Sequence, residues 1–142
     1  MKRSPLATSA FQLILFLIGR RIQWLARHDR GFRYDIREKR LVLQIALRGG
    51  RGIRWFEFRD GTVDTQRGWH PRYEAAARGH LGERVTVLTF ASAPTAVRIM
   101  TSGTGDLGVY LRAIRSKELA LDGDFTLFLW FGWLADQLGP RR

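Results

Sequence analysis

Three histidines, His28, His70 and His80, are the residues on which metal or acid–base chemistry would rest. Helical metal ligation needs pairs three or four apart, and no pair has that spacing; His70 and His80 are ten apart. Ser102 lies in TSGTGD (101–106), which lacks the strand–turn–helix setting of a nucleophile elbow. GTGDLG (103–108) has the glycine spacing of a dinucleotide loop, but it follows a helix-like segment instead of a strand. No cysteine is present, which excludes disulfides, Cys-ligated zinc and thiol nucleophiles. The expectation is a protein that is not an enzyme, with no catalytic residue, no metal site and no cofactor.

Binding of apolar molecules needs no reactive group, because each buried CH2 contributes about 0.8 kcal/mol. The residues suited to it are concentrated late in the chain, in SKELALDGDFTLFLWFGWLADQL (116–138). This stretch begins as an alternating strand, turns at Asp122-Gly123-Asp124 and then runs almost continuously apolar through Trp130 and Trp133. A core helix, a membrane contact and the cover of an apolar ligand site all fit such a run. Structural core is the default reading of Phe125 to Leu134, and the ligand-wall reading gains because tryptophan is usually highly but rarely completely buried. Met100 adds a flexible thioether suited to a promiscuous apolar pocket, though methionine also serves as a gap filler.

The other concentration is of charge. The chain carries a formal net charge of +11, and only three of its 24 basic residues (Lys2, Lys39 and Lys117) are lysines. Residues 20–40, RRIQWLARHDRGFRYDIREKR, hold eight basic residues against Asp29, Asp35 and Glu38. Arginine pairs bidentately with phosphate and carboxylate, so an anionic partner is implied unless the charge is only a solvated surface. Arg20, Arg21, Arg27 and Arg30 adjoin an apolar helix, which suits anionic lipid headgroups. With Arg33, Arg37 and Arg40, and with Trp24, Phe32 or Tyr34 for stacking, the cluster also suits nucleic acid. The lipid reading is preferred because charge and apolar surface are contiguous; an arginine-rich nucleic-acid-binding domain is the alternative.

These residues must be positioned by a single domain: 142 residues with 45% hydrophobic content are enough for one core. The N-terminal MKRSPLATSAFQLILFLIGRR resembles a secretory leader but runs into Gly19-Arg20-Arg21 without a small-residue cleavage site. Phe11 to Ile18 is also far short of the roughly 20 residues of a membrane span. A helix over 9–28 is predicted, with capping-box spacing at Ser9 and Gln12 and a stripe of Phe11, Ile14, Leu15, Ile18, Ile22 and Leu25. Leu13, Phe16 and Leu17 lie off that stripe, so the first half is apolar nearly all round. A short helical turn over 29–38 precedes strands at 41–48, at 53–59 and in TVDTQRG after Asp60-Gly61, together an antiparallel meander. Residues 69–84 are predicted to hold a short helix near 72–78. A strand follows at 85–90, then a helix with Pro94 in its first turn and Gly103 at its end. Asp106 caps a further helix carrying Leu107, Tyr110, Leu111 and Ile114, and a last strand holds Leu119 and Leu121. A C-terminal helix carries Phe128, Phe131, Leu134, Ala135 and Leu138.

This order, with Thr101 to Gly103, Ser116-Lys117, Leu119, Leu121 and Gly123-Asp124, resembles the C-terminal half of sterol carrier protein 2-like domains. The hairpin motif from Phe56 to Val63 and the leading helix match the family's early meander. Two departures are a missing glycine before Lys117 and a longer 69–84 segment. The resemblance implies an α+β domain spanning 1–142: a small, mainly antiparallel sheet flanked by N- and C-terminal helices, with an internal tunnel for a lipid, sterol, acyl chain or isoprenoid quinone. Members bind or carry such molecules, and others are accessory to lipid- or quinone-modifying enzymes. The tunnel walls expected here are Phe56, Phe58, Phe90, Met100, Leu107, Tyr110, Leu111, Ile114, Phe125, Phe128, Trp130, Phe131, Trp133 and Leu134. The expected partners are an apolar small molecule or lipid and an anionic membrane surface, with a homodimer left open. The expected location is the cytoplasm, peripheral at the inner membrane face.

Overall fold

The computed structural model describes residues 5–71, 84–102, 107–123, 129, 130 and 133. The first helix, α1 (Pro5–His28), begins four residues before Ser9. Proline is preorganised for the first helical position, and Leu6 and Ala7 propagate readily from it. Ser9 therefore lies inside the helix, and its spacing to Gln12 marks no start. Phe11, Leu15, Ile22 and Leu25 are buried along one face, while Leu13, Leu17 and Trp24 are exposed on the other. Ile14 and Ile18 are only half-buried.

A short second helix, α2 (Arg30–Ile36), is capped by Asp29, whose carboxylate accepts from the Phe32 N–H at 3.0 Å. Arg33 reaches back from it, donating from Nε to the Ala26 carbonyl at 2.8 Å and from Nη2 to the Arg27 carbonyl. These bonds satisfy carbonyls that the end of α1 leaves unpaired.

The sheet comprises β1 (Leu41–Leu47), β2 (Arg51–Arg59), β3 (Thr62–Arg67), β4 (Arg84–Phe90) and β5 (Leu119–Gly123), in the order β3-β2-β1-β4-β5. Among the described strands only the central β1–β4 pair is parallel. The Asp60-Gly61 turn has both residues at positive φ (52° and 78°), as a two-residue hairpin with right-handed strand twist requires. A register shift between Ile45 and Ala46 inserts one extra residue in β2. Strand β2 starts at Arg51, two residues earlier than the alternation of 53–59 predicts, because Ala46 and Leu47 pair with Gly52 and Arg51.

Alternation gives the sheet two distinct faces. On one, Leu41, Ile45, Phe56, Phe58, Leu88, Phe90 and Leu119 form the main core with α1 and α3 (Ala93–Ser102), whose Ala93, Ala96 and Ile99 are buried. Gly19 permits the close approach of α1: a Cβ there would lie 3.0 Å from Thr65 Cγ2 and 3.3 Å from a Phe56 ring carbon. On the other face Gln44 is fully buried, donating to the Gly68 carbonyl and accepting from the His70 N–H. His70 Nε2 lies 2.5 Å from Glu57 Oε1, and its ring meets Trp55 edge-on at 4.6 Å. The chain leaving β3 is thus anchored beneath the sheet before it crosses to β4.

The last described helix, α4 (Leu107–Arg115), ends where Lys117 adopts a left-handed φ of 64° and the Glu118 N–H bonds to the Ala113 carbonyl at 2.9 Å. The left-handed residue therefore follows Ser116, which occupies the place of the family's glycine. Gly103 and Asp106, the predicted helix stop and cap, lie outside the described residues, as do the predicted helix near 72–78 and most of the C-terminal one.

Candidate functional site

The expected tunnel walls are distributed over the helix-covered face of the sheet. Phe58 and Phe90 are fully buried but lie at opposite ends of it, being registered with Leu41 and Leu47 of β1 through their respective strands. Six residues of strand separate them, about 20 Å at a rise of roughly 3.3 Å per residue. Phe56 lies beneath Gly19 of α1, and Phe90 packs edge-on against Phe11 at 5.5 Å.

Around Phe58 the structure gathers an aromatic corner. Trp130 meets Phe58 edge-on at 5.1 Å, Trp133 stacks on Phe32 of α2 at 6.3 Å, and the two tryptophan rings are 5.8 Å apart. Both tryptophans are half-buried, and the Lys39 ammonium lies 5.7 Å from the Trp130 ring. The corner is therefore apolar inside and cationic at its rim, an arrangement suited to an amphiphile. Met100, Tyr110 and Ile114 are half-buried against the same core. Burial raises the Tyr110 phenol above its ordinary value near 10. Leu111 is exposed on α4 and is not gathered with them. Leu107 opens α4, but its side chain is not among those described, and Phe125, Phe128, Phe131 and Leu134 lie outside the described residues.

The basic cluster divides by what each side chain touches. Arg33 is engaged in joining α1 to α2, Arg40 pairs with Asp60 at 3.4 Å, and Arg37 covers the Tyr34 ring. Arg20, Arg27 and Arg30 point to solvent, while Arg21 is half-buried with its guanidinium 5.1 Å from the exposed Trp24 ring. Arg21, Trp24, His28 and Arg30 line an open hollow of about 450 Å³ where α1 meets α2. Leu13, Phe16 and Leu17 are exposed one to two turns before it on α1. Among the described residues no helix is long and apolar enough to cross a membrane, and no group of three or more His, Asp or Glu could hold a metal ion.

Two buried polar groups on the helix-covered side are absent from the site residues expected from the sequence. Arg54 is 6% exposed and Gln12 is half-buried; their Nε and Oε1 atoms are buried without a hydrogen-bond partner among the described residues. Parity is the signal that could reveal Arg54, which shares the face of Phe56 and Phe58 in β2. Among the described residues its guanidinium is held by one bond, to Thr65 Oγ1 at 3.1 Å, and it lies 5.8 Å from the Phe16 ring.

No protein-family model and no curated protein matches the chain. Among solved structures, it is similar over 99% of both chains to one titled "UbiJ-SCP2 Ubiquinone synthesis protein", with a TM-score of 0.57 and 19% identity. A likeness at that identity speaks for the backbone alone. The chain has the α+β fold of sterol carrier protein 2-like domains.

Proposed function

We propose that the domain binds a long apolar molecule (a lipid, sterol, acyl chain or isoprenoid quinone) between its sheet and helices, without catalysing a reaction on it. The observation that carries this is the half-buried Trp130–Trp133 pair, set against Phe58 and Phe32 and rimmed by Lys39. The likeness to a ubiquinone synthesis protein supports an accessory role in presenting such a ligand to a lipid- or quinone-modifying enzyme. Native mass spectrometry of freshly purified protein, with extraction and identification of co-purifying lipid, tests this directly. Recovery of an apolar species in stoichiometric amount is expected. Consistently empty protein that also leaves lipid and quinone analogues unbound overturns it.

Delivery is proposed to use α1. Its exposed Leu13, Leu17 and Trp24 stand beside Arg20, Arg27 and Arg30, so one surface offers apolar contact and cations together. On this reading the protein works at an anionic membrane face, with the cytoplasmic side as the proposed location. The nucleic-acid alternative is favoured by one feature, the pairing of arginine with exposed aromatic rings at Arg21–Trp24 and Arg37–Tyr34.

A further inference from the structure

Arg54 and Arg67 are registered directly opposite each other on β2 and β3. Like charges in that position repel, and burial together with the nearness of Arg67 lowers the Arg54 pKa. No carboxylate pairs with either arginine among the described residues; Asp64 and Gln66 fall on the opposite face of β3 by alternation. A guanidinium has five N–H donors, and Arg54 uses one protein acceptor among the described residues, Thr65 Oγ1. Its Nε is buried and has no partner among the described residues. Above it lies the Phe16 ring, itself 47% exposed, at 5.8 Å from the guanidinium carbon. Gln12, one turn before Phe16 on α1, carries a buried Oε1 that also has no partner among the described residues. Its amide can also present N–H donors when turned about its last torsion.

Buried arginine is ordinarily paired, because an uncompensated charge in the interior is expensive. We infer that Arg54, with Arg67 opposite it, receives the anionic head of the apolar ligand, so that the ligand class is an amphiphile ending in a carboxylate or phosphate ester. This rests on the apolar-ligand reading and narrows it. From Arg54 the same face of β2 continues through Phe56 to Phe58 and the Trp130 corner, about 13 Å along the strand. The charge therefore stands at one end of an apolar row.

The test compares laurate with dodecanol, which share a tail length and differ in head charge, by calorimetric titration. Wild type is expected to bind laurate about tenfold tighter, the size of one charge-assisted hydrogen bond. Arg54→Met should bring the two ligands to equal affinity while leaving dodecanol binding unchanged. Arg51→Gln removes the same charge from an exposed site on β2 and should leave the preference intact, which separates the site from the general positive field. If Arg54→Met does not fold, Arg67→Gln, at an exposed position, should reduce the preference severalfold. Equal binding of both ligands by wild type, or an unchanged preference in Arg54→Met, overturns the inference and spares the apolar-ligand reading. If neither ligand binds, that reading fails. Inorganic phosphate then decides the rest: protection of wild type but not Arg54→Met against heat retains an anion site alone, and equal response overturns it.

Discussion

Arg54 and Arg67 face each other across β2 and β3, and among the described residues no carboxylate pairs with either of them. Opposed like charges destabilise a strand pair by roughly the amount that opposite charges stabilise it, 0.2–1 kcal/mol. Arg67→Glu should therefore stabilise the ligand-free protein by about 1 kcal/mol, raising Tm by about 3 °C for a chain of this length. The same change should abolish any preference for anionic amphiphiles. A fall in Tm would show that the arginine pair is accommodated without strain.

At Gly19 the α1 helix touches the sheet with no side chain of its own. Ala gains roughly 1 kcal/mol of helix propensity over Gly, but its Cβ would press on Thr65 and Phe56 at 3.0 and 3.3 Å. Gly19→Ala should be near neutral, because a methyl of Thr65 and a ring edge of Phe56 must each give by only tenths of an ångström. Gly19→Val adds two further carbons to that contact and should cost about 1–3 kcal/mol by overpacking. Urea denaturation of the two variants checks the difference. Equal stabilities would mean that α1 does not seat at this point.

Much of this arrangement is legible in the order of residues alone. Alternation in 41–48 and 53–59, the Asp60-Gly61 turn and the helical stripe of α1 are local patterns, and each survives in the fold. The start of α1 is obscured because Ser9 and Gln12 imitate a cap, whereas Pro5 opens the helix four residues earlier. The aromatic corner is half legible: the greasy run marks Trp130 and Trp133, but their meeting with Phe58 and Phe32 depends on long-range packing that no spacing encodes. Arg54 stays hidden because its one mark, parity with Phe56 and Phe58, is inconspicuous in one arginine among 24 basic residues. The Gln44–His70–Glu57 group is equally hidden, since it joins two strands to a crossover and only the sheet register brings those segments together.

Trp130 and Trp133 offer a separation of binding from folding. Both rings are half-buried, so Leu in their place forfeits less packing than at a fully buried position, where aromatic truncation commonly costs several kcal/mol. Trp130→Leu and Trp133→Leu should each weaken binding of a fluorescent fatty-acid or quinone analogue about tenfold, with a loss of stability near 1 kcal/mol. Tryptophan emission should also shift on ligand addition in wild type. Large destabilisation with normal binding by the folded fraction would assign the pair to the core alone.

The α1–α2 surface predicts a specific dependence on charge. Each basic residue near an anionic bilayer contributes about 1 kcal/mol, and that contribution is screened within roughly 10 Å at moderate salt. Co-sedimentation with vesicles containing phosphatidylserine or phosphatidylglycerol should accordingly fall steeply as salt is added, and neutral vesicles should retain little protein. Arg20→Glu combined with Arg21→Glu changes the local charge by four and should reduce binding to acidic vesicles by at least tenfold. Trp24→Ala should weaken it further by removing the exposed ring that Arg21 covers. Nucleic acid binding shows the same salt sensitivity, so competition decides between the partners. Acidic vesicles should retain the protein against excess duplex or single-stranded DNA. If nucleic acid binds tightly and acidic vesicles do not, the exposed arginines and aromatic rings of α1 and α2 serve as a phosphate and base-stacking surface, and the delivery step is lost.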